Sequence, residues 1–322
     1  MALLTVQSLT KRFLVRKGFL RKIKGYTHAV ENISFSLDSG RTLGLVGESG
    51  CGKTTLGRTI LRLIEPTSGT IIFDQQNISE MSKSELPNWR KKAQIIFQDP
   101  FSSLNPRMRV RDIIGEGIVI HRSCSRSKVL EEVSSLLELV GLESRSMDKF
   151  PHQFSGGQRQ RIGIARALAL NPQMIVADEP VSALDVSVQA QIINLLLDLQ
   201  QSRKLTYLFI SHDLRIVEFV AEQVMVMYLG RVMEMLPAKG LALKACHPYT
   251  QALLSAVLTP DEQGNRTKKK RVVLGGEVPN PMSPPSGCVF HPRCPLAAEV
   301  CRKEDPVLRN IGQGHSVACH LV

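Results

Sequence analysis

A glycine-rich segment near residue 50 has the residue types that bind phosphate, at the spacing G-x-x-x-x-G-K-[ST]. Glycines let successive N–H groups point into one concavity, and the N-terminus of a following helix adds partial positive charge. We expect Lys53 to reach the β- and γ-phosphates of a nucleotide and the Thr54 hydroxyl to ligate Mg²⁺. The residues assigned to this site are Gly47, Glu48, Ser49, Gly50, Cys51, Gly52, Lys53, Thr54 and Thr55.

The flanks of this segment distinguish a phosphate loop from a glycine-rich turn that binds nothing. An apolar run at 43–46 precedes it and predicts a buried strand, whereas residues 55–61 have the apolar spacing of a helix. A strand, a loop and a helix are the context in which this motif binds phosphate. The sequence therefore favours the phosphate loop.

Hydrolysis of a nucleotide needs a carboxylate for Mg²⁺ and a group that positions the attacking water. Four apolar residues at 174–177 are followed by Asp178 and Glu179, which predicts a strand buried on both faces with acids at its end. We expect Asp178 to hold Mg²⁺, directly or through water, and Glu179 to act as the general base. An acidic pair at a strand end is common by itself, and the complete phosphate loop favours the hydrolytic role.

The apolar pattern elsewhere alternates strands with helices. We expect strands at 3–9, 30–37, 68–74, 93–98, 205–210 and 224–229, and helices at 129–142, 159–169 and 188–199. The basic stretch 16–24 is interpreted as a loop between two strands, and 102–147 as a helical insert. Such alternation predicts βαβ units, a mainly parallel sheet and the α/β class.

Composition limits the compartment and the partners. The 322 residues, 43% of them hydrophobic, suffice for one large domain and an appendage. The net charge of +12 suits a solvated basic surface, nucleic acid or the anionic face of a membrane. We expect no nucleic-acid partner, because no such module is visible and aromatic residues make up only 5%, so we favour the membrane surface. No apolar run approaches the ~18 residues that cross a bilayer and no signal peptide is visible, which predicts a cytosolic protein.

Further motifs follow the phosphate loop in a fixed order. Gln98 precedes a signature of Ser155, Gly156, Gly157 and Gln158, which is followed by Asp185 in the D-loop 182–185 and by His212 after a strand. On these motifs together, residues 3–257 resemble the nucleotide-binding subunit of an ABC transporter. The resemblance implies a P-loop NTPase core with a mainly parallel sheet, an antiparallel β subdomain and a helical subdomain at about 99–165, all within residues 1–257.

The resemblance also implies a role for each motif. In the family, two cassettes dimerise head to tail, and the signature of one covers the γ-phosphate of the ATP held by the other. Gln98 is then expected to sense Mg²⁺ and the γ-phosphate, and His212 to hold the γ-phosphate and orient water. Phe13 matches the aromatic residue that stacks on adenine, where the family more often has Tyr.

Two segments resemble one subfamily, the ATPases of oligopeptide, dipeptide and nickel permeases. They are the extended Q-loop at 98–107 and the motif at 247–254. The basic insertion after Phe13 resembles the second ATPase of such a pair. The resemblance implies import of peptides, with nickel or another small solute as the alternative cargo. It also implies a head-to-tail heterodimer with a homologous ATPase, two transmembrane permease subunits, an extracytoplasmic solute-binding protein acting indirectly, and a place on the cytoplasmic face of the inner membrane.

Four of the seven cysteines lie near the C-terminus at the spacing C-x5-C-x6-C-x17-C. Structural zinc sites usually contain a C-x₂₋₄-C pair, which is missing here, so four thiolates at this spacing fit an iron–sulfur cluster better. The segment also resembles peptide-permease ATPases described as carrying a 4Fe–4S cluster; zinc and four unligated thiols are the alternatives. We expect a cysteine-rich extension at 258–322, with a boundary at about 258–272. The four residues are Cys288, Cys294, Cys301 and Cys319.

Two other classes of function remain possible at this point. A soluble ABC ATPase of DNA repair or translation usually carries two cassettes or a coiled-coil insert, and this chain has neither. A metal-binding regulator that only binds nucleotide is disfavoured by the presence of Glu179 and His212. The sequence therefore favours an ATP-driven importer subunit.

Overall fold

The computed structural model describes residues 2–17, 22–122, 125–256 and 274–322. The predicted boundary at 258–272 lies outside the described residues. The chain divides into two compact units. The first unit contains Leu37–Arg41 and Glu80–Ile210, and the second contains Leu3–Ser36, Thr42–Ser79 and Ser211–Val322.

The described residues form twelve strands and eleven α-helices. The strands are β1 (Ala2–Lys17), β2 (Lys22–Asp38), β3 (Thr42–Val46), β4 (Ser68–Phe73), β5 (Gln76–Asn77), β6 (Ala93–Ile96), β7 (Met174–Asp178), β8 (Thr206–Ile210), β9 (Gln223–Tyr228), β10 (Arg231–Pro237), β11 (Arg309–Gly312) and β12 (His315–Val317). The helices are α1 (Lys53–Ile60), α2 (Leu86–Lys92), α3 (Pro100–Ser103), α4 (Val110–His121), α5 (Arg126–Leu139), α6 (Gly156–Leu168), α7 (Val186–Arg203), α8 (Leu214–Val220), α9 (Leu241–Lys244), α10 (Pro248–Ser255) and α11 (Glu299–Lys303). None of the helices in these ranges combines the length and apolar character needed to cross a membrane.

The first unit is built on three parallel strands in the order β8, β7, β6. Every residue of β7 and β8 is buried, as the continuous apolar runs predict. Because parallel strands end at the same edge, the acids after β7 lie at the carboxyl edge of this sheet. The predicted strands at 93–98, 174–177 and 205–210 are confirmed, the first of them ending at Ile96.

Helices α4, α5 and α6 contact one another in the first unit and form the helical part predicted at about 99–165. The predicted helix at 129–142 is shifted towards the N-terminus. Its start is set by Ser125, whose hydroxyl accepts the N–H of Lys128 at 3.5 Å. Its end is set by Gly141, which has a φ of +73° and cannot continue a right-handed helix.

The second unit contains a parallel pair, β3 and β9, and three antiparallel strands, in the order β3, β9, β10, β12, β11. The strand β10 was not predicted, although Leu229 and Gly230 form a left-handed turn just before it. Strand β12 comes from the cysteine-rich end of the chain, and its Val317 lies opposite Glu234 of β10. The C-terminal segment therefore extends the sheet of the second unit.

A second sheet, with the order β2, β1, β4, β5, has antiparallel β1–β4 and β4–β5 pairs and supplies the predicted antiparallel β subdomain. Strand β1 continues to Lys17 and β2 begins at Lys22, so both are longer than predicted. The interpretation of 16–24 as a loop is therefore wrong for its described ends, because these lie in β1 and β2, which are neighbouring strands of this sheet. Residues 18–21 lie outside the described residues.

Candidate active site

The phosphate loop joins the fully buried strand β3 to helix α1, as predicted. Two of its glycines are required by close backbone approach. A Cβ on Gly47 would lie 2.2 Å from the Met227 carbonyl oxygen, and one on Gly52 would lie 2.0 Å from that of Ala29. Gly52 also has a φ of +106°, a conformation that only glycine adopts without strain. The loop is thus fixed against β9 and β2 by backbone alone.

Lys53 begins α1 and is 5% exposed. Its ammonium donates to the carbonyl oxygens of Gly47 at 2.8 Å and of Glu48 at 3.1 Å, so the loop itself holds the lysine. Burial raises the pKa of the neighbouring Cys51 thiol, against the opposing effect of the Lys53 charge. The thiol is therefore protonated at neutral pH.

At the end of β7, Asp178 is buried with 1% exposure and Glu179 is partly exposed. Glu179 has a φ of +46°, which is strained for a residue with a side chain. Its N–H donates to the Ile210 carbonyl at 3.0 Å, and its carbonyl accepts the Ser182 hydroxyl at 3.1 Å. These bonds hold the strained backbone.

Gln98 and Glu179 are brought together, 81 residues apart in the chain. The Gln98 amide donates to the Glu179 carboxylate at 3.1 Å, just beyond the neighbouring strands β6 and β7. A carboxylate with one oxygen bound to an amide can accept a proton from water through its remaining lone pairs. The contact thus pairs the expected general base with the expected sensor residue.

The signature forms the start of α6. Ser155 and Gln158 make a reciprocal capping box, in which the hydroxyl accepts the Gln158 N–H at 3.4 Å and the amide accepts the Ser155 N–H at 3.0 Å. A Cβ on Gly157 would lie 2.4 Å from Cγ1 of Val188, and one on Gly156 would lie 3.3 Å from Leu184. The signature therefore packs against α7, which the D-loop precedes.

The D-loop residue Asp185 is the N-cap residue of α7 by position, although its side chain makes no capping hydrogen bond. The turn before it is held instead by Gln189. The Gln189 amide donates to the carbonyls of Val181 at 3.0 Å and Leu184 at 2.9 Å. Gln189 therefore holds the backbone of the D-loop, and the Asp185 carboxylate has no part in capping α7.

His212 lies in the second unit, next to the phosphate-loop strand. The Ser211 N–H donates to the Leu45 carbonyl at 3.1 Å, which sets the segment beside the end of β3, and the His212 side chain is exposed. Asp213 caps α8 by accepting the Arg215 N–H at 2.9 Å. Burial raises the pKa of Asp213, but its hydrogen bonds to Arg215 outweigh that effect and lower it overall. The cap fixes the histidine's backbone.

Phe13 lies on β1 with its side chain 37% exposed. The ammonium of Lys11 lies 4.9 Å from the centre of its ring. One ring face is thus occupied by a cation in a cation–π contact.

The four C-terminal cysteines lie within electrostatic range of one another. Burial raises the pKa of Cys288 to about 11, and Cys301, Cys294 and Cys319 each add to that rise. A Cβ on Gly287 would lie 2.6 Å from the Cys301 carbonyl oxygen, and the Cys288 N–H donates to that same oxygen at 2.9 Å. Thiols placed together with raised pKa values are poorly ionised unless a cation stabilises them.

Three of these sulfurs accept a backbone N–H from two residues further along the chain. Leu321 donates to Cys319 at 3.4 Å. Burial raises the pKa of Cys288 and Cys294, and the N–H groups of Phe290 and Leu296 oppose that rise by the same kind of bond. Hydrogen bonds to sulfur are typical of thiolates that ligate iron–sulfur clusters. The donor set therefore fits a thiolate-bound metal centre.

A second group of side chains places three possible metal ligands close together. Among the described residues, only Glu234, Cys246 and His315 place three ligand atoms within 4.8 Å of one another. The Glu234 carboxylate is fully buried and accepts the N–H of Cys246 at 2.7 Å, that of His247 at 3.2 Å and the His315 Nε2 at 2.8 Å. These hydrogen bonds account for the group without a metal.

Two contacts to the phosphate loop were not predicted. The Tyr249 hydroxyl accepts the Glu48 N–H at 2.9 Å, and the Arg293 guanidinium binds the Glu48 carboxylate at 2.7 and 3.1 Å. Tyr249 lies in the subfamily motif at 247–254, and Arg293 precedes Cys294. Their places in the 247–254 motif and beside Cys294 were the only hint in the sequence that these residues are functional. Periodicity gives no information on a contact between residues 245 positions apart.

Comparison with family models gives two matches. The model for ABC transporters matches residues 30–182. The model for the oligopeptide/dipeptide transporter C-terminal region matches residues 233–301. The second match includes most of β10, the motif at 247–254 and three of the four cysteines.

Curated proteins and solved structures extend these matches over most of the chain. The oligopeptide transport ATP-binding protein AppF of Bacillus subtilis is 51% identical over 99% of this chain and 97% of its own. A peptide ABC transporter ATP-binding protein of Sinorhizobium fredii is 50% identical over 99% and 90%. A dimeric ATP-binding cassette in a post-hydrolysis state with ADP and Pi has a TM-score of 0.65 and 28% identity, covering 74% of this chain and 99% of its own. The protein cbiO1 of Clostridium perfringens, part of the ABC transporter complex cbiONQ, has a TM-score of 0.64 and 28% identity. The likeness covers 76% of this chain and 91% of cbiO1.

Proposed function

The chain belongs to the ABC transporter family as an ATP-binding and ATP-hydrolysing subunit, and we propose that it energises the import of peptides. The observation that carries the cargo class is the match to the oligopeptide/dipeptide transporter C-terminal region at residues 233–301. Relatives about 50% identical over nearly the full length are named for oligopeptide and peptide transport. Nickel, the alternative cargo, has no such observation in its favour.

In the proposed mechanism, ATP and Mg²⁺ are held mainly by the phosphate loop. The N–H groups of Ser49 to Thr55 bind the phosphates, and Lys53 exchanges its carbonyl partners for the β- and γ-phosphates. Thr54 and Asp178 are assigned to Mg²⁺. Phe13 offers its free face to adenine.

Glu179 is assigned as the general base for the attacking water. Its carboxylate lies in hydrogen-bond contact with Gln98, which orients it and is assigned to Mg²⁺ and the γ-phosphate. His212 is assigned to the γ-phosphate. No covalent intermediate is required, since positioning and charge stabilisation account for phosphoryl transfer to water.

An ABC ATPase of a peptide importer acts with transmembrane permease subunits and as a dimer of cassettes, associated peripherally with the membrane. We propose that the partner is a homologous ATPase arranged head to tail. Ser155, Gly156, Gly157 and Gln158 would then offer the helix N-terminus of α6 to the partner's γ-phosphate, with Asp185 beside it. The cytoplasmic face of the membrane and a solute-binding protein outside it complete the proposed assembly.

We also propose a 4Fe–4S cluster on Cys288, Cys294, Cys301 and Cys319. The support for a cluster over zinc is the spacing of the four cysteines, which lacks a C-x₂₋₄-C pair, together with the backbone N–H groups that donate to three of the sulfurs. The cluster would stabilise a segment with a small core of its own or respond to redox potential.

The test of function is transport by the assembled complex in lipid vesicles. With its permease subunits, the wild type should couple ATP hydrolysis to peptide uptake, and Ni²⁺ uptake in place of peptide uptake would overturn the cargo class. Glu179→Gln should lower turnover at least about 100-fold, the loss expected for a general base, and leave ATP binding intact. Glu131→Gln, on the exposed face of α5, is the matched control.

The test of the cluster is metal content after purification without oxygen. The full chain should be brown and contain about four iron atoms, the content of one 4Fe–4S cluster. Cys301→Ser should lose iron. Stoichiometric zinc without iron would reject the cluster in favour of the alternative.

A further inference from the structure

Glu48 of the phosphate loop is held by side chains from the C-terminal part of the second unit. Its N–H is accepted by the Tyr249 hydroxyl at 2.9 Å. Its carboxylate receives a two-pronged contact from Arg293, with Nη1–Oε2 at 2.7 Å and Nη2–Oε1 at 3.1 Å. Backbone and side chain of Glu48 are thus fixed at once by residues about 200 and 245 positions later in the chain.

Both partners are themselves fixed by packing. The Arg293 side chain is 9% exposed, lies 5.7 Å from the centre of the Tyr228 ring and donates to the Tyr228 hydroxyl at 3.4 Å. Tyr249 and Tyr228 are fully buried and pack edge to face at 4.8 Å, with the ring of Phe290 5.3 Å from each. A guanidinium held in this way gives a directional contact rather than the weak pairing of exposed charges.

Glu48 also connects these partners to the lysine. Its carbonyl oxygen accepts the Lys53 ammonium at 3.1 Å and the Cys51 N–H at 3.2 Å, and the preceding carbonyl of Gly47 accepts the same ammonium at 2.8 Å. A rotation of the Glu48 peptide would therefore move the acceptors that hold Lys53. Gly47 and Gly52 lie against the backbone of β9 and β2, whereas nothing lies within 4 Å of a Cβ on Gly50, so the contacts to Glu48 restrict the segment between them.

We propose that Arg293 and Tyr249 are positioning residues for ATP, which keep the phosphate loop in its binding geometry by holding Glu48. The proposal rests on the proposed role of the loop in binding ATP. A binding site that is competent only part of the time binds its ligand correspondingly more weakly. Residues 249 and 293 therefore contribute to nucleotide binding through Glu48.

The test measures ATP affinity of the full chain with Mg²⁺ and a fluorescent ATP analogue. Arg293→Ala should weaken binding about tenfold, which corresponds to a loop that is competent about a tenth of the time. Tyr249→Phe, which removes only the hydroxyl, should weaken it about threefold. Arg293→Lys keeps the charge without the fork and should recover part of the loss. In the assembled transporter these changes should raise KM for ATP and leave kcat within about twofold.

A double-mutant cycle tests whether Arg293 affects ATP binding through Glu48. In a Glu48→Ala background, Arg293→Ala should add less than about a twofold loss, because its partner is already gone. Arg231→Ala removes another ion pair to the C-terminal segment, with Asp305, and should leave ATP affinity unchanged. Equal weakening by Arg231→Ala and Arg293→Ala would overturn the proposal in favour of general loss of structure.

Two results separate this proposal from the function of the site. If the wild type binds no ATP, and Lys53→Ala gives the same result as the wild type, the proposed function is overturned. Wild type that binds ATP, with folded Arg293→Ala and Tyr249→Phe binding equally well, would overturn the positioning role alone. Tyr249→Phe and Glu48→Gln carry the test if Arg293→Ala does not fold, and unchanged ATP affinity in both would also overturn the proposal.

Discussion

His247 is a buried neutral histidine that makes the second unit sensitive to acid. It is 1% exposed, its Nδ1 accepts the Tyr249 N–H at 3.0 Å at the start of α10, and its ring lies 5.7 Å from that of Phe290. Burial lowers the pKa of His247 from 6.5 to about 4, against a hydrogen bond with the Ala318 backbone that raises it. The folded form therefore resists the proton that the unfolded form accepts.

The sign and size follow from proton linkage. Between pH 6.5 and about 4 the unfolded state binds more protons than the folded state, so stability falls as the pH falls through that window. The full effect is about 3 kcal/mol, from a pKa difference of about 2.5 at 1.36 kcal/mol each, and about 2 kcal/mol of it is lost between pH 7 and pH 5. Below pH 4 the loss from this residue is complete.

The assay is native-state hydrogen exchange of amides in 248–255, measured at pH 5, 6 and 7 and corrected for intrinsic exchange rates. It reports the free energy of the local opening that exposes His247. His247→Asn keeps an acceptor for the Tyr249 N–H, since Asn is a good N-cap residue, and removes the titrating ring. We expect the variant to lose about 2 kcal/mol less than the wild type between pH 7 and pH 5.

A control and a refuting result complete this test. His152→Asn replaces an exposed histidine in the first unit and should leave the pH dependence of 248–255 unchanged. Equal losses in wild type and His247→Asn, within about 0.5 kcal/mol, would refute the assignment of a buried neutral histidine.

Two further predictions concern packing and buried hydrogen bonds. Gly157→Ala should destabilise the first unit by about 1–3 kcal/mol, because its Cβ would lie 2.4 Å from Val188, and Val188→Ala should restore most of it. Urea unfolding followed by the fluorescence of Trp89, the single tryptophan, measures this, and no rescue would contradict it. Glu234→Gln should lose about 1–3 kcal/mol, because a carbonyl and an NH₂ cannot accept all the bonds of the carboxylate. Faster hydrogen exchange in 315–317 should accompany the loss, whereas unchanged exchange there would show that the carboxylate does not anchor β12.

The parts of the fold that local sequence determines were predicted well. The phosphate loop is bounded by a buried strand and a helix, and an apolar run followed by two acids became β7 with Asp178 at its end. The wrong predictions concern strand lengths that depend on pairing with a neighbouring strand. Strands β1 and β2 extend into the basic stretch because they pair with each other, and that pairing gives charged residues a place in a ladder.

The candidate site divides in the same way. The roles expected for Lys53, Glu179 and the signature come from motifs, and the structure adds a hydrogen bond between Gln98 and Glu179. The contacts of Glu48 with Tyr249 and Arg293 could not be predicted. They depend on the packing of Tyr228, Tyr249 and Phe290, which are far apart in the chain. Residue type and spacing do not indicate a contact between such distant positions.

The buried carboxylate of Glu234 has a consequence for synthesis of the chain. Its partner His315 leaves the ribosome 81 residues later, an interval of about 4–16 s at usual rates of translation. Until then β10 has no β12 beside it, and Glu48 gains the Arg293 guanidinium only within the same interval. A nascent chain that already contains every nucleotide-binding motif therefore still lacks these late contacts. Emergence of residues 293–317, rather than translation of the motifs, is the event after which the second unit can complete its structure.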